Sequence, residues 1–485
     1  MPSVLLALTL QAQAQSPGAA ALPLPPGVQA ALQRAGLPAE ALAAMAVAPA
    51  GLAWSHQGDV AMPPASTMKL VTSVVALDRL GPNHRGGTQL LSAAAQVGDV
   101  LAGDLVLRGG ADPDLGLPQM AALLAELRYQ GIREIAGDIR LDRTLFRPPR
   151  LDLGLPPFDS EPEFPYNVIP DALHLAGSLM ALELSADLSA MRVRSLPYLP
   201  GIAFDASAMV LNDKACKDWD EDWRTPQVTQ RDGAWLVALR GAFPRGCTQR
   251  VELQLIDRQA LAERQLRLLW QGLGGAWGGR AVEAAVPPQA RLLASRSARP
   301  WGEVLRSMNK RSDNALTRLL YLSLGAAAQA ADLAADPSTL QAAHAEVRAW
   351  FRRQGIDADG LVMDNGSGLS RSERISARQM TALLVAAQAA VYAPDLLMSL
   401  PLAGVDGGLR NRLTTGVANG RARLKPGTLR DVVALAGYVP DAQGRVWAVA
   451  AMINHPQAKL GRPVLDAWIE WVAGGGAAAP AMVPP

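Results

Sequence analysis

The feature that most constrains the fold is a strand-rich block in the middle of a chain that is helical on both sides of it. From about residue 87 to 288, short strand candidates alternate with turns rich in Gly, Pro and Asp. A helix is predicted over 66–80 by apolar residues at helical spacing, and helical periodicity resumes after Trp301. This order predicts one domain that is split by a long insertion.

Strand signals also lie close to both ends of the chain. The apolar, turn-bounded segment 43–54 is typical of a strand pair. Segments 432–439 and 446–453 flank a Pro-Asp-Ala-Gln-Gly turn, which indicates a hairpin. Both halves of the split domain are therefore expected to combine helices with strands.

Composition excludes several classes of function. The 485 residues include 46 basic and 44 acidic side chains, a net charge of +2, which gives no electrostatic signature of binding to nucleic acid or to an anionic membrane. The five histidines lie far apart in the sequence, and the two cysteines cannot bind a metal alone. No metal site is predicted.

The N-terminus predicts export. Residues 4–10 form a short apolar run, and Ala-Gln-Ala at 12–14 resembles a small-x-small cleavage site, although no Lys or Arg precedes Arg34. No run reaches the roughly 18 apolar residues that a membrane-spanning helix needs. In an exported protein Cys216 and Cys247 are expected to form a disulfide, and the alternative is two unpaired thiols in a reducing cytoplasm.

The first candidate catalytic motif is Ser66-Thr-Met-Lys69, at the start of a predicted helix. A spacing of three residues places the hydroxyl and the amine on one helix face, and a serine nucleophile needs such a base within hydrogen-bond reach. Only six of the 46 basic residues are lysines, and a lysine, unlike an arginine, can lose its proton when burial lowers its pKa. The same pattern occurs at Ser307 and Lys310, so an ordinary solvated helix face is the alternative interpretation.

Two further motifs follow along the chain. Ser312-Asp-Asn314 lies between two predicted helices, where these residue types are also common as N-caps. Lys425-Pro-Gly427-Thr428 precedes the predicted hairpin, and a lysine beside a glycine can present an ammonium group and a close backbone to a ligand carboxylate. An exposed turn is the alternative there. Taken singly, each motif leaves its alternative open.

Taken in this order, Ser-x-x-Lys, Ser-x-Asn and Lys-x-Gly are the signature of the penicillin-recognising serine acyl-transferases. From about residue 25 to 473 the chain resembles the class C low-molecular-mass penicillin-binding proteins, which are bacterial D-alanyl-D-alanine carboxypeptidases and endopeptidases. The strings that carry the resemblance are 64–69, 103–113, 309–314, 366–371, 400–404 and 425–437. That family has a long insertion between its first two motifs, which selects Ser66 over Ser307.

The resemblance implies an α+β fold: a serine β-lactamase/transpeptidase-like domain, with an antiparallel sheet flanked by helices, and nested strand-rich insert domains. The expected units are a signal-like leader at 1–20, the split catalytic domain at 25–87 and 295–473, a strand-rich insert domain at 88–112 and 169–294, a smaller domain nested in that insert at 113–168, and a disordered tail at 474–485.

The resemblance also implies an acyl-enzyme mechanism that needs no metal or organic cofactor. Ser66 would attack the carbonyl between two D-alanines, and Lys69 would take its proton. Ser312 would relay a proton to the leaving D-alanine amine, and Asn314 would hold the amide on the acyl side. The expected partners are peptidoglycan stem peptides, with β-lactams as acylating inhibitors, and oligomers are possible.

The third motif would bind the other end of the substrate. Lys425 and Thr428 would bind the terminal carboxylate, beside the close backbone of Gly427, and the N–H groups of Ser66 and Thr428 would form the oxyanion hole. The family usually has Thr or Ser where this chain has Pro426, so a hydroxyl that could bind the carboxylate is missing. We expect fold and acylation to survive, with altered carboxypeptidase rate or β-lactam affinity.

An acidic residue of the inserted region is expected to meet the free amine of the stem-peptide side chain, as in similar enzymes. Asp159 is the candidate, with Glu161 and Asp171 as rivals. The string Gly-Ser-Gly at 366–368 lacks the spacing of a nucleophile elbow and predicts a turn that lines the cleft.

The expected function is therefore that of an exported, periplasmic serine DD-peptidase, soluble or weakly associated with the wall. Two alternatives remain. A serine β-lactamase would need a dedicated base for deacylation, which no string assigns. A catalytically weak peptidoglycan-binding scaffold is favoured only by Pro426.

Overall fold

The structure, a computed structural model, describes residues 23–48, 51, 53–332 and 338–478. Its strands are β1 Leu42–Val47, β2 Ala53–His56, β3 Gly87–Ser92, β4 Gln96–Val97, β5 Val100–Leu101, β6 Leu105–Gly110, β7 Glu134–Ile135, β8 Ile139–Asp142, β9 Met180–Ala186, β10 Met191–Ser195, β11 Ile202–Asp205, β12 Met209–Asn212, β13 Trp223–Arg231, β14 Ala234–Pro244, β15 Thr248–Leu253, β16 Ala276–Trp277, β17 Ala281–Glu283, β18 Arg291–Ser297, β19 Arg423–Leu429, β20 Val432–Pro440 and β21 Val446–Asn454. Its α-helices are α1 Pro26–Ala35, α2 Lys69–Leu80, α3 Leu117–Tyr129, α4 Arg258–Gly272, α5 Trp301–Arg311, α6 Asn314–Ala331, α7 Thr339–Arg353, α8 Ala377–Gln388, α9 Ala393–Ser399 and α10 Arg462–Ala473.

Strands from both ends of the chain form one antiparallel sheet in the order β19-β20-β21-β1-β2. Ala44 of β1 lies opposite Ala451 of β21. Helices α2 and α5 to α9 pack on one face of the sheet, and α1 and α10 pack on the other. β20 is buried at eight of its nine positions, as its continuous apolar sequence requires when both faces are covered. The predicted α+β fold, with an antiparallel sheet flanked by helices, is confirmed.

The insert contains two hydrophobic cores. The first core joins two sheets, β17-β8-β6-β3-β18 and β16-β7-β5-β4, to helices α3 and α4. The second core lies between the antiparallel sheet β10-β9-β15 and the sheet β11-β14-β12, whose strand β14 also pairs with β13. A disulfide joins Cys216 to Cys247 within the second core, with the two Cα atoms 5.4 Å apart.

These cores divide the insert differently from the predicted boundaries. The second core, built by strands between residues 180 and 253, is the nested one, whereas α3, β7 and β8 of the predicted nested segment 113–168 belong to the first core. Residues 147–170, the densest turn segment of the chain, form no core of their own. Their backbone instead accepts hydrogen bonds from side chains of α6. Apart from a short 3-10 turn at Pro165–Asn167, this proline-rich segment contains no helix or strand, and it is not a separate domain.

The two ends of the chain are described only in part. The expected leader at 1–20 and residues 479–485 of the expected tail lie outside the described residues. Residues 476–478 form a 3-10 turn that packs Ala477 against the core beside α10, so this part of the segment is not the disordered tail that was predicted. Of the helices that the structure describes, none combines the length and the apolar character needed to cross a bilayer.

Candidate active site

Ser66 lies in a 3-10 turn, Ala65–Met68, that leads directly into α2. The sequence predicts an α-helix from Ser66, but the α-helix begins three residues later. The cause is the tight turn: Ala65 adopts a left-handed conformation with a φ of 47°, and Thr67 donates from its N–H and its hydroxyl to the Pro64 carbonyl at 3.3 and 2.7 Å. The turn presents a partly exposed Ser66 hydroxyl at the N-terminal end of α2.

Lys69 follows one turn later and is completely buried. Its Nζ lies 3.1 Å from Ser66 Oγ, 2.6 Å from Asn314 Oδ1 and 2.5 Å from the Ser367 carbonyl oxygen. The last two oxygens can only accept, so Nζ must donate an N–H to each of them. A neutral amine that donates twice keeps its lone pair for the Ser66 hydroxyl. The geometry therefore suits Lys69 as a base that takes the proton of Ser66.

The orientation of the Asn314 amide supports this assignment. Its Nδ2 donates to the Tyr166 carbonyl oxygen at 3.0 Å. Because a carbonyl can only accept, the amide nitrogen faces Tyr166 and the amide oxygen faces Lys69. Nδ2 carries two hydrogens, so the second one can serve a ligand. Segment 147–170 thus reaches the site and fixes one of its side chains.

Burial controls the protonation of Lys69. Loss of solvation lowers the pKa of its amine to about 7. The negative charges of Glu373 and Asp313 oppose this shift, and the positive charge of Arg318 adds to it. A lysine with this pKa is available both as ammonium and as free amine near neutral pH, which is what a general base requires.

The second motif contacts the third. Ser312 follows the end of α5 in a left-handed conformation with a φ of 59°. Asp313 is the residue that caps α6, accepting from the Leu316 N–H at 2.9 Å. The capping interpretation therefore applies to Asp313 and leaves Ser312 available for chemistry. The Ser312 Oγ accepts a hydrogen bond from Lys425 Nζ at 2.8 Å.

Lys425 is the second completely buried lysine of the site. Its Nζ also donates to the Pro426 carbonyl oxygen at 2.9 Å. Burial, together with the positive charge of Lys69, holds the pKa of Lys425 well below its usual value. Because each ammonium group disfavours the other, the site holds one positive charge more easily than two.

Strand β19 is an edge strand and passes close to the nucleophile turn. A Cβ on Gly427 would lie 2.9 Å from the Ser66 nitrogen, so only glycine permits this approach. Thr428 is exposed, and its Oγ1 lies 3.5 Å from an Arg462 guanidinium nitrogen. Pro426 is compatible with an edge strand, since it has no N–H to pair. The strand thereby places the third motif against Ser66.

Asp159 is linked to the site through Tyr166. Its carboxylate accepts from the Tyr166 hydroxyl at 2.8 Å and from Asn167 Nδ2 at 2.9 Å. Glu161 is exposed and shares the Tyr166 hydroxyl at 3.2 Å. Asp171, in contrast, is completely buried and ion-paired with a buried arginine at 2.6 Å, which excludes it from contact with a substrate.

Three contributions to the site have no signature in the predicted motifs. Two are backbone carbonyls, those of Tyr166 and Ser367. The third is Glu373, a completely buried carboxylate that accepts from the N–H groups of Gly366 and Gly368 at 2.8 Å each. The Gly-Ser-Gly string at 366–368 predicts a turn at the cleft, and that turn supplies the Ser367 carbonyl. The string does not reveal that this carbonyl accepts from Lys69.

The other candidate groups do not form a second catalytic or metal site in the part of the chain that the structure describes. The Ser307 hydroxyl donates to a carbonyl one turn earlier in its own helix, and Lys310 is ion-paired with Asp406. Within the part of the chain that the structure covers, no group of three or more His, Cys, Asp and Glu side chains is placed to hold a metal ion.

Comparison with known proteins finds relatives along almost the whole chain. Residues 28–473 match the family described as D-Ala-D-Ala carboxypeptidase 3 (S13). The D-alanyl-D-alanine carboxypeptidase of Actinomadura sp. (strain R39) is 30% identical over 410 residues, which cover 81% of this chain and 73% of that protein. The D-alanyl-D-alanine carboxypeptidase DacB of Haemophilus influenzae is 28% identical over 406 residues, 82% of each chain.

Solved structures share the fold. The crystal structure of penicillin binding protein 4 (dacB) from Haemophilus influenzae matches with a TM-score of 0.77 and 24% identity, over 93% of this chain and 99% of that chain. The same protein in complex with a β-lactam matches with a TM-score of 0.70, over 88% of this chain and 93% of that chain.

Proposed function

This chain belongs to the D-Ala-D-Ala carboxypeptidase 3 (S13) family and is a serine DD-peptidase, and we propose that it acts through an acyl-enzyme on Ser66. The predicted membership of the class C low-molecular-mass penicillin-binding proteins is confirmed. The proposed substrates are D-Ala-D-Ala termini and D-Ala cross-links of peptidoglycan. One observation carries the proposal: Lys69 Nζ lies 3.1 Å from Ser66 Oγ, and its two other partners accept only.

In the acylation step Ser66 Oγ would form a bond to the carbonyl carbon between two D-alanines while its proton moves to Lys69 Nζ. The N–H groups of Ser66 and Thr428 would stabilise the negative charge that develops on the carbonyl oxygen. The close approach of Gly427 to the Ser66 nitrogen supports this placement.

The leaving nitrogen then needs a proton. Ser312 would give its hydroxyl proton to that nitrogen as the C–N bond breaks and would take one from Lys425, which already donates to Ser312 Oγ. The lowered pKa of Lys425 favours this transfer. Proton exchange with solvent then returns Lys69 to the free amine and Lys425 to the ammonium form. Water hydrolyses the ester, and Lys69 is the base that takes the proton of the water.

Digestion of muropeptides, with the products resolved by mass, tests the proposed function. Loss of a terminal D-alanine demonstrates carboxypeptidase activity, and conversion of cross-linked dimers to monomers demonstrates endopeptidase activity. A gel with a fluorescent penicillin separates the alternatives. A stable adduct supports the DD-peptidase, rapid turnover of the drug favours a β-lactamase, and absence of any adduct favours a scaffold.

We expect the rate constant for acylation by a penicillin to rise with pH through about 7. The reason is that only the free amine of Lys69, whose pKa is lowered to about 7, can take the Ser66 proton. Stopped-flow measurements between about pH 5 and 9 check this, with far-UV circular dichroism to show that the fold is intact. A flat or falling profile would contradict the assignment of the base.

Substitution Pro426→Thr is expected to raise the rate of acylation. The new hydroxyl can donate to the substrate carboxylate, and one such charged hydrogen bond corresponds to about a 10-fold gain. Pro440→Thr, at the end of β20 in the same sheet, is the matched control and should leave the rate unchanged. If Pro426→Thr acylates no faster than the parent, the missing hydroxyl does not limit binding.

We propose that Asp159 contacts the free amine of the stem-peptide side chain. Its partial exposure and its link to Asn314 through Tyr166 support this role. Asp159→Asn should raise KM for muropeptides about 10-fold and leave acylation by penicillin, which lacks that amine, unchanged. Glu161→Gln is the control, and a larger effect there than at Asp159 would reassign the contact.

We propose that the protein acts in the periplasm. The disulfide between Cys216 and Cys247 supports an oxidising compartment, because such bonds are rare in the cytosol. Thiol alkylation in fractionated cells provides the test. The protein should be recovered from the periplasmic fraction with both cysteines protected, and recovery from the cytosol with free thiols would argue against export.

A further inference from the structure

Glu373 is a completely buried carboxylate whose charge acts on Lys69. Its Oε1 accepts from the N–H groups of Gly366 at 2.8 Å and Asp364 at 3.3 Å, and its Oε2 accepts from the N–H of Gly368 at 2.8 Å. These partners are backbone dipoles rather than a cation. Burial of a carboxylate costs free energy when no cation is paired with it, and these three N–H groups offset part of that cost.

The loop that Glu373 holds, residues 364–368, contacts helix α2 at two points. Its Ser367 carbonyl accepts from Lys69 Nζ at 2.5 Å, and its Gly366 carbonyl accepts from Thr72 Oγ1 at 2.7 Å. Through the first contact, the loop supplies one of the two acceptors that orient the Lys69 amine. Glu373 therefore acts on Lys69 through a single intervening peptide segment.

The same loop packs against the nucleophile turn. Gly368 has a φ of 81°, and a Cβ at this position would lie 1.9 Å from the Ala65 carbonyl oxygen. Ala65 directly precedes Ser66, so a displaced loop would disturb both members of the catalytic pair. The hydrogen bonds of Glu373 to this loop go to the backbone N–H groups of Asp364, Gly366 and Gly368.

We propose that Glu373 is a positioning residue for Lys69. Its carboxylate fixes the Ser367 carbonyl that orients the Lys69 amine, and its negative charge controls how readily that amine loses its proton. The inference rests on the proposed function in one respect, namely that Lys69 is the base of the reaction.

The electrostatics of the pair support this coupling. Burial raises the pKa of Glu373 to about 7, although its backbone N–H partners lower it. Lys69 has a pKa lowered to about 7, and the negative charge of Glu373 opposes that shift. Removal of the Glu373 charge is therefore expected to lower the pKa of Lys69 further.

Other charged or titratable groups face the pair from the surrounding elements. They are Asp313, Arg318 and Tyr321 from the α6 region, Asp364 from the loop, and Lys425 from β19. All of them remain when Glu373 is substituted. A difference between parent and variant therefore reports the contribution of Glu373.

The variant Glu373→Gln removes the charge and keeps the size of the side chain. The maximal acylation rate should fall about 10-fold, because the amide nitrogen then faces a backbone N–H. The acid limb of the pH–rate profile should move to lower pH by about one unit, because the Lys69 ammonium loses a stabilising negative charge. Glu373→Asp keeps the charge and should keep the limb at its parental position.

Asp441→Asn provides a matched control. Asp441 is also completely buried and holds a turn through the N–H groups of Gln443 and Arg445 at 2.9 Å each, but its side-chain partners belong to the β20–β21 hairpin. This variant should leave the acid limb in place. If the acid limb of the pH–rate profile is in the same place in Glu373→Gln as in the parent, the proposal is overturned, whatever the maximal rate. Glu373 would then have only a structural role.

The pKa of Lys69 can also be measured without an activity assay. With lysine labelled at Cε with carbon-13, the chain gives six lysine signals, and Lys69→Met assigns the one of interest. Its pKa should be lower in Glu373→Gln than in the parent, and an identical titration in both would overturn the proposal. If the shift occurs in a protein that forms no penicillin adduct and cleaves no muropeptide, the coupling is upheld and the proposed function fails.

Discussion

Replacing Ser66 with alanine is expected to abolish both the penicillin adduct and the cleavage of muropeptides. Acylation should fall by about 10⁴-fold or more, because the remaining site can bind a substrate but has no atom that can form the ester. The side chain is partly exposed and its hydroxyl contacts Lys69 Nζ, so the fold should be retained. Intact mass after incubation with a penicillin and mass analysis of digested muropeptides measure the two losses.

The chain provides its own control for this experiment. Ser307 has a lysine three residues later, as Ser66 has, but its hydroxyl donates to a carbonyl of its own helix. Ser307→Ala should therefore form the adduct at the parental rate. An adduct that persists in Ser66→Ala, or that is lost in Ser307→Ala, would contradict the choice of nucleophile.

Lys69→Met is expected to reduce acylation by about 10³- to 10⁴-fold, the contribution of a well-placed general base. Methionine fills the space of the lysine stem but cannot accept the Ser66 proton. The rise of the rate through about pH 7 should disappear as well, since the group that titrates there is gone. Stopped-flow acylation across this range measures both effects.

The free energy of unfolding of Lys69→Met has to be measured separately from its acylation rate. The substitution leaves Asn314 Oδ1 and the Ser367 carbonyl without the donor that Lys69 supplies, and each such loss destabilises by about 1–3 kcal/mol. Lys310→Met, which removes a lysine ion-paired with Asp406, serves as the control and should keep the acylation rate. Parental acylation with an unchanged pH profile in Lys69→Met would place the base elsewhere.

The fold of the split domain was predictable because its signals are local. Apolar spacing predicts α2, and the two apolar runs around a turn predict the β20–β21 hairpin. The division of the insert was not predictable in the same way. Which strands share a core depends on pairings between distant segments, such as the parallel pair of β6 with β8, and no local pattern records them.

The residues of the site likewise fall into those with a signal in the sequence and those without one. Side chains with a chemistry of their own were identified by residue type and order: Ser66, Lys69, Ser312, Asn314 and Lys425. Hydrogen bonds join Lys69 to Ser66 and Asn314, and Lys425 to Ser312. Backbone carbonyls carry no signature of residue type, so the contacts of Tyr166 and Ser367 were missed. Glu373 was missed because its burial, which no sequence motif reveals, is what makes its charge effective.

The pairing of β1 with β21 also makes assembly of the active site depend on strands that lie far apart in the sequence. The Ser66 turn precedes the insert in the sequence, whereas three of the five strands of its sheet, β19 to β21, follow the insert. The two insert cores draw only on segments between the Ser66 turn and α5, and contacts between distant segments form slowly, so these cores can fold first. A chain that stops before β19 would carry Ser66 and Lys69 without Lys425 or the strand beside them. Assembly of the site therefore requires β19 as well as the Ser66 turn.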